Sequence, residues 1–249
     1  TSEYHNCHVV VLLMGTILPL TSFSCYKMIR FDKKSGILDE ENLDESYHIM
    51  DYGFDFYAPQ TFEDSFGRRI MYAWMSRMEG DEERKFSEGQ LNIHCLTMPR
   101  ELRVIKNKLY QSPVKELYEL IKEEPTQKKC IDNGKVILTS LHRNYFIRIS
   151  NMVYENDFKI TNREFTVLFD RYKNNLNFSR LNWTTNEIEE INVQIEKLDN
   201  IEIWSDQSSV EIFINDGEYV LSSRIFPSEI EVKIVIEGLL NYKDIQLKK

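Results

Sequence analysis

The run Val210-Glu211-Ile212-Phe213-Ile214 meets Asp216-Gly217 and resumes at Tyr219, and short apolar runs closed by turn residues recur along most of the chain. Such runs place apolar side chains at a period of two, which buries one face of a strand. Asp-Gly favours the tight hairpin turn between antiparallel strands, because both residues tolerate positive φ. Residues 219–226 read as the return strand, and 230–236 alternates cleanly. Residues 135–141, 145–149, 165–170, 191–198 and 201–204 complete a series of hairpins that predicts a two-sheet sandwich.

The first half of the chain carries strand signals as well. Residues 27–31 read as a short strand ended by Asp32-Lys33-Lys34-Ser35-Gly36. Residues 54–62 and 69–74 form an expected antiparallel pair around the turn Asp64-Ser65-Phe66-Gly67. Further strands are expected at 91–97 and 102–105, the second turning at Lys106-Asn107-Lys108. Between the halves the period changes: Val114, Leu117, Leu120 and Ile121 recur at helical spacing until Pro125, which predicts one amphipathic helix.

The chain has 249 residues and a formal net charge of −9. Its Lys and Arg form no basic stripe, so a nucleic-acid partner is not expected. Residues 9–26 carry no charge, but Gly15 and Pro19 interrupt them, and they read as a pair of buried strands rather than a membrane span. Cys7, Cys25, Cys95 and Cys130 lie far apart with no CxxC pair, which favours free thiols in a reducing, cytoplasmic compartment over zinc or a disulfide framework. His48, His94 and His142 show no metal-ligand spacing; each reads as a structural histidine, and no metal or cofactor is expected.

Five segments carry a family resemblance. Asp51-Tyr52-Gly53-Phe54-Asp55-Phe56-Tyr57-Ala58-Pro59-Gln60-Thr61-Phe62 is followed by Gly67-Arg68-Arg69-Ile70-Met71-Tyr72-Ala73-Trp74-Met75. Then come Leu96-Thr97-Met98-Pro99-Arg100-Glu101-Leu102 and Leu109-Tyr110-Gln111-Ser112-Pro113-Val114. The last is Ser208-Ser209-Val210-Glu211-Ile212-Phe213-Ile214-Asn215-Asp216-Gly217-Glu218, with Ser223-Arg224-Ile225-Phe226-Pro227 after it. In this order they resemble glycoside hydrolase family 32, the invertases and sucrose-6-phosphate hydrolases, from about Met28 to the C-terminus.

The resemblance implies an all-β chain: the last blades of a five-bladed β-propeller over residues 1–108 (with 1–25 atypical), a linker helix over 109–125 and a C-terminal β-sandwich over 126–249. It further implies retaining hydrolysis of β-fructosides, with sucrose or sucrose 6-phosphate as the small-molecule partner. Retention needs two carboxyl groups roughly 5 Å apart, one attacking the anomeric carbon and one protonating the leaving oxygen. The family places these groups in Trp-Met-Asn-Asp-Pro-Asn-Gly and Glu-Cys, with a substrate-holding Asp in Arg-Asp-Pro. This chain contains none of the three motifs. Glu3 lies near the expected position of the acid, but Tyr4 follows it. The expectation is therefore a truncated, inactive portion of a β-fructofuranosidase with no catalytic residue of its own.

Trp74, Tyr57, Gln60 and Asp51 are the expected substrate-binding residues. A tryptophan face packs on the C–H surface of a sugar, although Trp is also a common core residue. Tyr57 and Gln60 are three apart, and regular strand alternation would send them to opposite faces. Asp51 precedes Tyr52-Gly53 and equally suits a turn. Asp206, Ser208 and Ser209 read as a turn, and Trp183, Trp204 and the Phe213 region as sandwich core. A contrasting reading is a non-catalytic sandwich module that binds carbohydrate or supports oligomerisation.

Overall fold

A computed structural model describes residues 7–14, 23–32, 37–39, 46–75, 94–122, 128–132, 134–182, 185–227, 229–241 and 244–248. Glu3 and Trp183 lie outside the described residues. The fold is all-β, built as two four-stranded sheets followed by a sandwich of a seven-stranded and a five-stranded sheet.

The first sheet contains β1 (Cys7–Met14), β2 (Phe23–Asp32), β3 (Ile37–Asp39) and β4 (His48–Ile49). β1 and β2 pair antiparallel from Cys7↔Arg30 to Met14↔Phe23, so residues 9–14 and 23–26 of the uncharged stretch are strand. No helix among the described residues is long and apolar enough to cross a membrane. The second sheet is a meander of β5 (Tyr57–Glu63), β6 (Arg69–Trp74), β7 (Arg100–Ile105) and β8 (Lys108–Pro113), in that order. Lys106 and Asn107 turn β7 into β8 with positive φ, a conformation that Asn tolerates. Of the strand expected at 91–97, the described part pairs only through a bridge between Leu96 and Trp74. Tyr26, Met28, Met50, Phe56, Met71, Ala73 and Leu109 fill one core that joins the two blade-like sheets.

Residues 109–113 continue the blade as part of β8, and the helix α1 follows at Lys115–Leu120. No residue of α1 is buried. It docks through Tyr118, whose hydroxyl donates to Glu202 Oε2 at 2.8 Å and whose ring meets Trp204 edge-on at 5.1 Å.

The seven-stranded sheet runs in the order β15, β14, β13, β12, β19, β10, β9. These strands are β9 (Lys128–Asp132), β10 (Lys135–Ser140), β12 (Val153–Thr161), β13 (Phe165–Asp170), β14 (Asn175–Leu181), β15 (Ile188–Gln194) and β19 (Val232–Asn241). The five-stranded sheet runs β18, β17, β16, β11, β20. Its members are β11 (Tyr145–Ser150), β16 (Asn200–Ser205), β17 (Ser209–Ile214), β18 (Tyr219–Arg224) and β20 (Asp244–Lys248). Alternate residues such as Phe165, Val167 and Phe169 face inward from one sheet, and Ile201, Ile203, Val210 and Ile212 from the other. Burial of each such side chain contributes about 1.5–3 kcal/mol.

The Asp216-Gly217 turn joins the antiparallel strands β17 and β18, as expected. Ile214 pairs with Tyr219, and the residues between them form a short 3-10 turn in which Asn215, Asp216 and Gly217 all have positive φ. Contrary to expectation, Trp204 is not in the sandwich core. It lies on the outer face of the five-stranded sheet, 4.6 Å from the Phe146 ring, where α1 covers it. Its neighbours Ile203 and Ser205 point the other way, as strand pleating requires.

Candidate functional site

A seam of buried charge joins the second blade to the sandwich. Residues 51–56 run along β18, the edge strand of the five-stranded sheet: the Tyr52 amide donates to the Val220 carbonyl at 2.8 Å and the Asp55 amide to Ser222 at 3.1 Å. The segment thereby covers a sheet edge that would otherwise present unpaired backbone. Gly53 is required there, since a Cβ would overlap the Ser222 backbone. Phe54 enters the sandwich core against Phe178, at 5.5 Å between ring centroids, while Phe56 enters the blade core. These two rings thus tie the segment into the cores of both domains.

Arg100, on β7, has no solvent exposure. Its Nη1 donates to Asp51 Oδ2 at 2.9 Å and to Gln111 Oε1 at 3.0 Å. Its Nη2 donates to Glu211 Oε2 at 2.6 Å and to the Ser222 hydroxyl. The guanidinium lies between the rings of Phe56 and Phe213, at 5.2 and 5.4 Å from their centroids. Burial opposes its charge, but the neighbouring Glu211 and Asp51 carboxylates outweigh that effect and hold its pKa above the usual value. Asp51 is itself buried; its second oxygen accepts from the amides of Gly53 at 2.8 Å and Ser222 at 2.9 Å. Its carboxylate is committed to the seam, away from any open surface.

A second ion pair lies beside the first. Arg180 occupies a core-facing position in β14, in step with Leu176 and Phe178. It pairs with Asp55 and donates to Glu189 Oε2 at 2.8 Å and to Ser223 Oγ at 3.0 Å. Paired and hydrogen-bonded, both arginines meet the condition under which buried charge is tolerated.

The exposed aromatic surface is built by the β5–β6 hairpin. Tyr57 pairs with Trp74 and Gln60 with Tyr72, with a register shift between the two pairs. The extra residue is accommodated at Ala58, whose φ is +47°. This bulge offsets the alternation, so Tyr57 and Gln60 share one face with Trp74 and Tyr72. Tyr57 and Trp74 are 40% and 37% exposed, and their rings meet edge-on at 6.2 Å. His94 tilts against Trp74 at 5.4 Å, and Phe62 stacks on Tyr72 at 6.3 Å. The structure therefore brings Trp74, Tyr57 and Gln60 together and places Asp51 elsewhere. His94 joins the site from a distant loop, and its isolation in sequence gave no signal of that.

The backbone beneath Trp74 is held on both sides. The Ala73 amide donates to Thr97 Oγ1 at 3.1 Å, the Thr97 amide to the Ala73 carbonyl at 2.8 Å, and the Met75 amide to the Cys95 carbonyl at 3.0 Å. The Met98 amide donates to Glu211 Oε1 at 2.7 Å, which anchors this strap in the sandwich.

Elsewhere the Asp206 amide donates to the Ser209 carbonyl at 2.9 Å, closing the expected turn. His48 stacks on Tyr26 at 5.1 Å, and the His142 amide donates to Ser140 Oγ at 3.1 Å. Cys25, Cys95 and Cys130 are free thiols. A cavity of about 540 Å³ opens in the sandwich, lined by residues that include Arg143, Arg163, Glu164 and Glu229; all its lining residues belong to the sandwich. Among the described residues no group of His, Cys, Asp or Glu could hold a metal ion.

Blade-like sheets that carry an exposed aromatic face, buttressed by a β-sandwich, define a protein of the propeller-and-sandwich class. The family model for the glycosyl hydrolases family 32 N-terminal domain matches residues 2–113, and that for the glycosyl hydrolases family 32 C terminal matches residues 131–247. The first match begins at residue 2, so the family likeness extends further toward the N-terminus than the expected start at about Met28. The chain is 34% identical to a sucrose-6-phosphate hydrolase of Bacillus subtilis (strain 168), covering 72% of this chain and 38% of that protein. It is 37% identical to one of Klebsiella pneumoniae, over 80% of this chain and 39% of the relative. A glycoside hydrolase family 32 structure from Bifidobacterium adolescentis superposes with a TM-score of 0.77 at 18% identity, covering 99% of this chain and 39% of that one. The sucrose-6-phosphate hydrolase of Lactobacillus gasseri gives 0.64 at 16% identity, over 87% and 48%. The chain belongs to glycosyl hydrolases family 32. It spans about two fifths of the length of the curated relatives it matches.

Proposed function

We propose that this chain is the C-terminal portion of a β-fructofuranosidase, a sucrose or sucrose-6-phosphate hydrolase, and that it supplies part of the fructose-binding wall without the catalytic carboxylates. One observation carries the reading: in a chain whose curated relatives are named sucrose-6-phosphate hydrolases, the β5–β6 hairpin exposes Tyr57 and Trp74 on one face. Ring faces pack against sugar C–H surfaces, while the Tyr57 hydroxyl and the Gln60 amide offer hydrogen bonds to sugar hydroxyls. The chain's sequence contains none of the motifs in which the family carries its nucleophile and acid, so bond cleavage would need groups beyond those present. The free thiols of Cys25, Cys95 and Cys130 support a reducing compartment, and we assign the protein to the cytoplasm.

Calorimetric titration of the chain with fructose and with sucrose tests the assignment. Binding is expected for the unsubstituted chain and none for Trp74→Ala. Equal heats for both proteins would remove Trp74 from the site. Release of fructose from sucrose above a heat-killed control would overturn the inactive reading.

A further inference from the structure

We infer that Arg224, a residue of the sandwich, is a positioning residue for Trp74. The inference rests on the reading of Trp74 as a sugar-facing residue and extends it across the domain boundary. Arg224 ends β18 and is 2% exposed. Its Nη1 donates to the carbonyl of Met75, the residue after Trp74, at 3.3 Å. Its Nε donates to the Ser208 carbonyl at 2.8 Å and its Nη2 to the Ser208 hydroxyl at 3.1 Å. The Phe226 ring lies 5.0 Å from the guanidinium carbon. The planar fork is thus fixed by the turn before β17, and its Nη1 holds the backbone at the base of Trp74.

The same residue also reaches the other half of the ring pair. The Arg224 amide donates to Asp55 Oδ2 at 2.8 Å, two residues before Tyr57. The Arg224 carbonyl accepts from Arg180 Nη1 at 3.0 Å, and Arg180 pairs with that same Asp55 carboxylate. One sandwich residue therefore fixes the entry to β5 and the exit from β6, the two strand ends that carry Tyr57 and Trp74. An exposed ring on a fixed base loses little freedom when a ligand packs on it, and that preorganisation raises affinity.

The test labels the chain with 5-fluorotryptophan and follows the three tryptophan resonances, Trp74, Trp183 and Trp204, each assigned by a Trp→Phe substitution. In Arg224→Met the Trp74 signal is expected to shift and broaden while the Trp204 signal stays in place. Fructose affinity is expected to fall about tenfold, the loss of one hydrogen bond from a charged donor. Ser208→Ala removes one acceptor of the fork and is expected to move the Trp74 signal less, in the same direction; it decides the matter if Arg224→Met fails to fold. An unmoved Trp74 signal in the folded variants, or equal movement of all three, would overturn the assignment. If the unsubstituted chain binds no fructose, the sugar-binding reading falls, while the fluorine shifts still decide whether Arg224 positions Trp74.

Discussion

Arg100 and Glu211 meet across the boundary between the second blade and the sandwich, Nη2 to Oε2 at 2.6 Å, with side-chain exposures of 0% and 5%. Asp51 approaches the same guanidinium from the other side at 2.9 Å. One cation is shared by two carboxylates, and the remaining oxygens are satisfied by amides of Gly53, Met98 and Ser222. Removing the cation would leave two buried carboxylates without a counter-ion.

Arg100→Met is therefore expected to destabilise the chain by about 3–5 kcal/mol, the range for breaking a buried pair at one end. Urea unfolding followed by tryptophan fluorescence measures it. The blade and the sandwich are expected to unfold in separate steps once the seam is broken, so two transitions should replace one. A single transition at an unchanged midpoint would show that the seam does not couple the two domains.

Gly217 has a φ of +86° and lies where an added Cβ would overlap the Gln111 carbonyl of β8. Gly217→Ala combines backbone strain with a collision against main chain, which has no side-chain rotamer to yield. A loss of more than about 1 kcal/mol is expected. Thermal melting compares it with Gly134→Ala, where φ is also positive but the added atom meets nothing; the larger fall should be at Gly217.

Ala58 holds the bulge that puts Tyr57 and Gln60 on one face, at a φ of +47°. A left-handed conformation costs a residue with a Cβ roughly 1–2 kcal/mol. Ala58→Gly relieves that strain and is expected to leave stability equal or higher by up to about 1 kcal/mol, after the extra entropy of the unfolded chain is counted. Ala58→Val is expected to be less stable than either. A denaturation series of the three proteins checks the order.

The Tyr52 hydroxyl has its pKa pushed up to about 12, mainly by burial and then by the nearby Tyr219. The rings lie 5.8 Å apart. The sign follows from linkage: the folded state favours the neutral phenol, so the contribution is fully present below the unfolded pKa of about 10 and is lost as pH rises toward 12. Stability should therefore fall across this window, and Tyr52→Phe should flatten the fall. Urea midpoints at several alkaline pH values test it.

Much of the architecture was legible in local pattern. The period-two runs at β10, β11, β13, β16 and β17 lie where alternation placed them, and the change to a helical period marked α1. β14 escaped because Arg180 takes a core-facing position in it, which leaves Leu176 and Phe178 as the apolar residues of that face. β12 escaped because its pairing with β19 shifts register around Tyr154, which interrupts the alternation of its faces.

The amino-acid order by itself determined that the described residues form short strands with a brief helix between blade and sandwich, and it carried the segments by which the family is recognised. Only the tertiary structure decided what those segments do. Alternation defines two faces for each strand but cannot say which neighbouring sheet covers either one. Glu211 sits between Val210 and Ile212 much as a solvent-facing residue would, yet the blade packs over it and buries it against Arg100. Phe54 and Phe56 were indistinguishable in sequence from the rings of Tyr57 and Trp74, and packing made the first two core and left the second two exposed. Burial arises from contacts between elements far apart in the chain, and a single bulge at Ala58 was enough to reverse which side chains share a face.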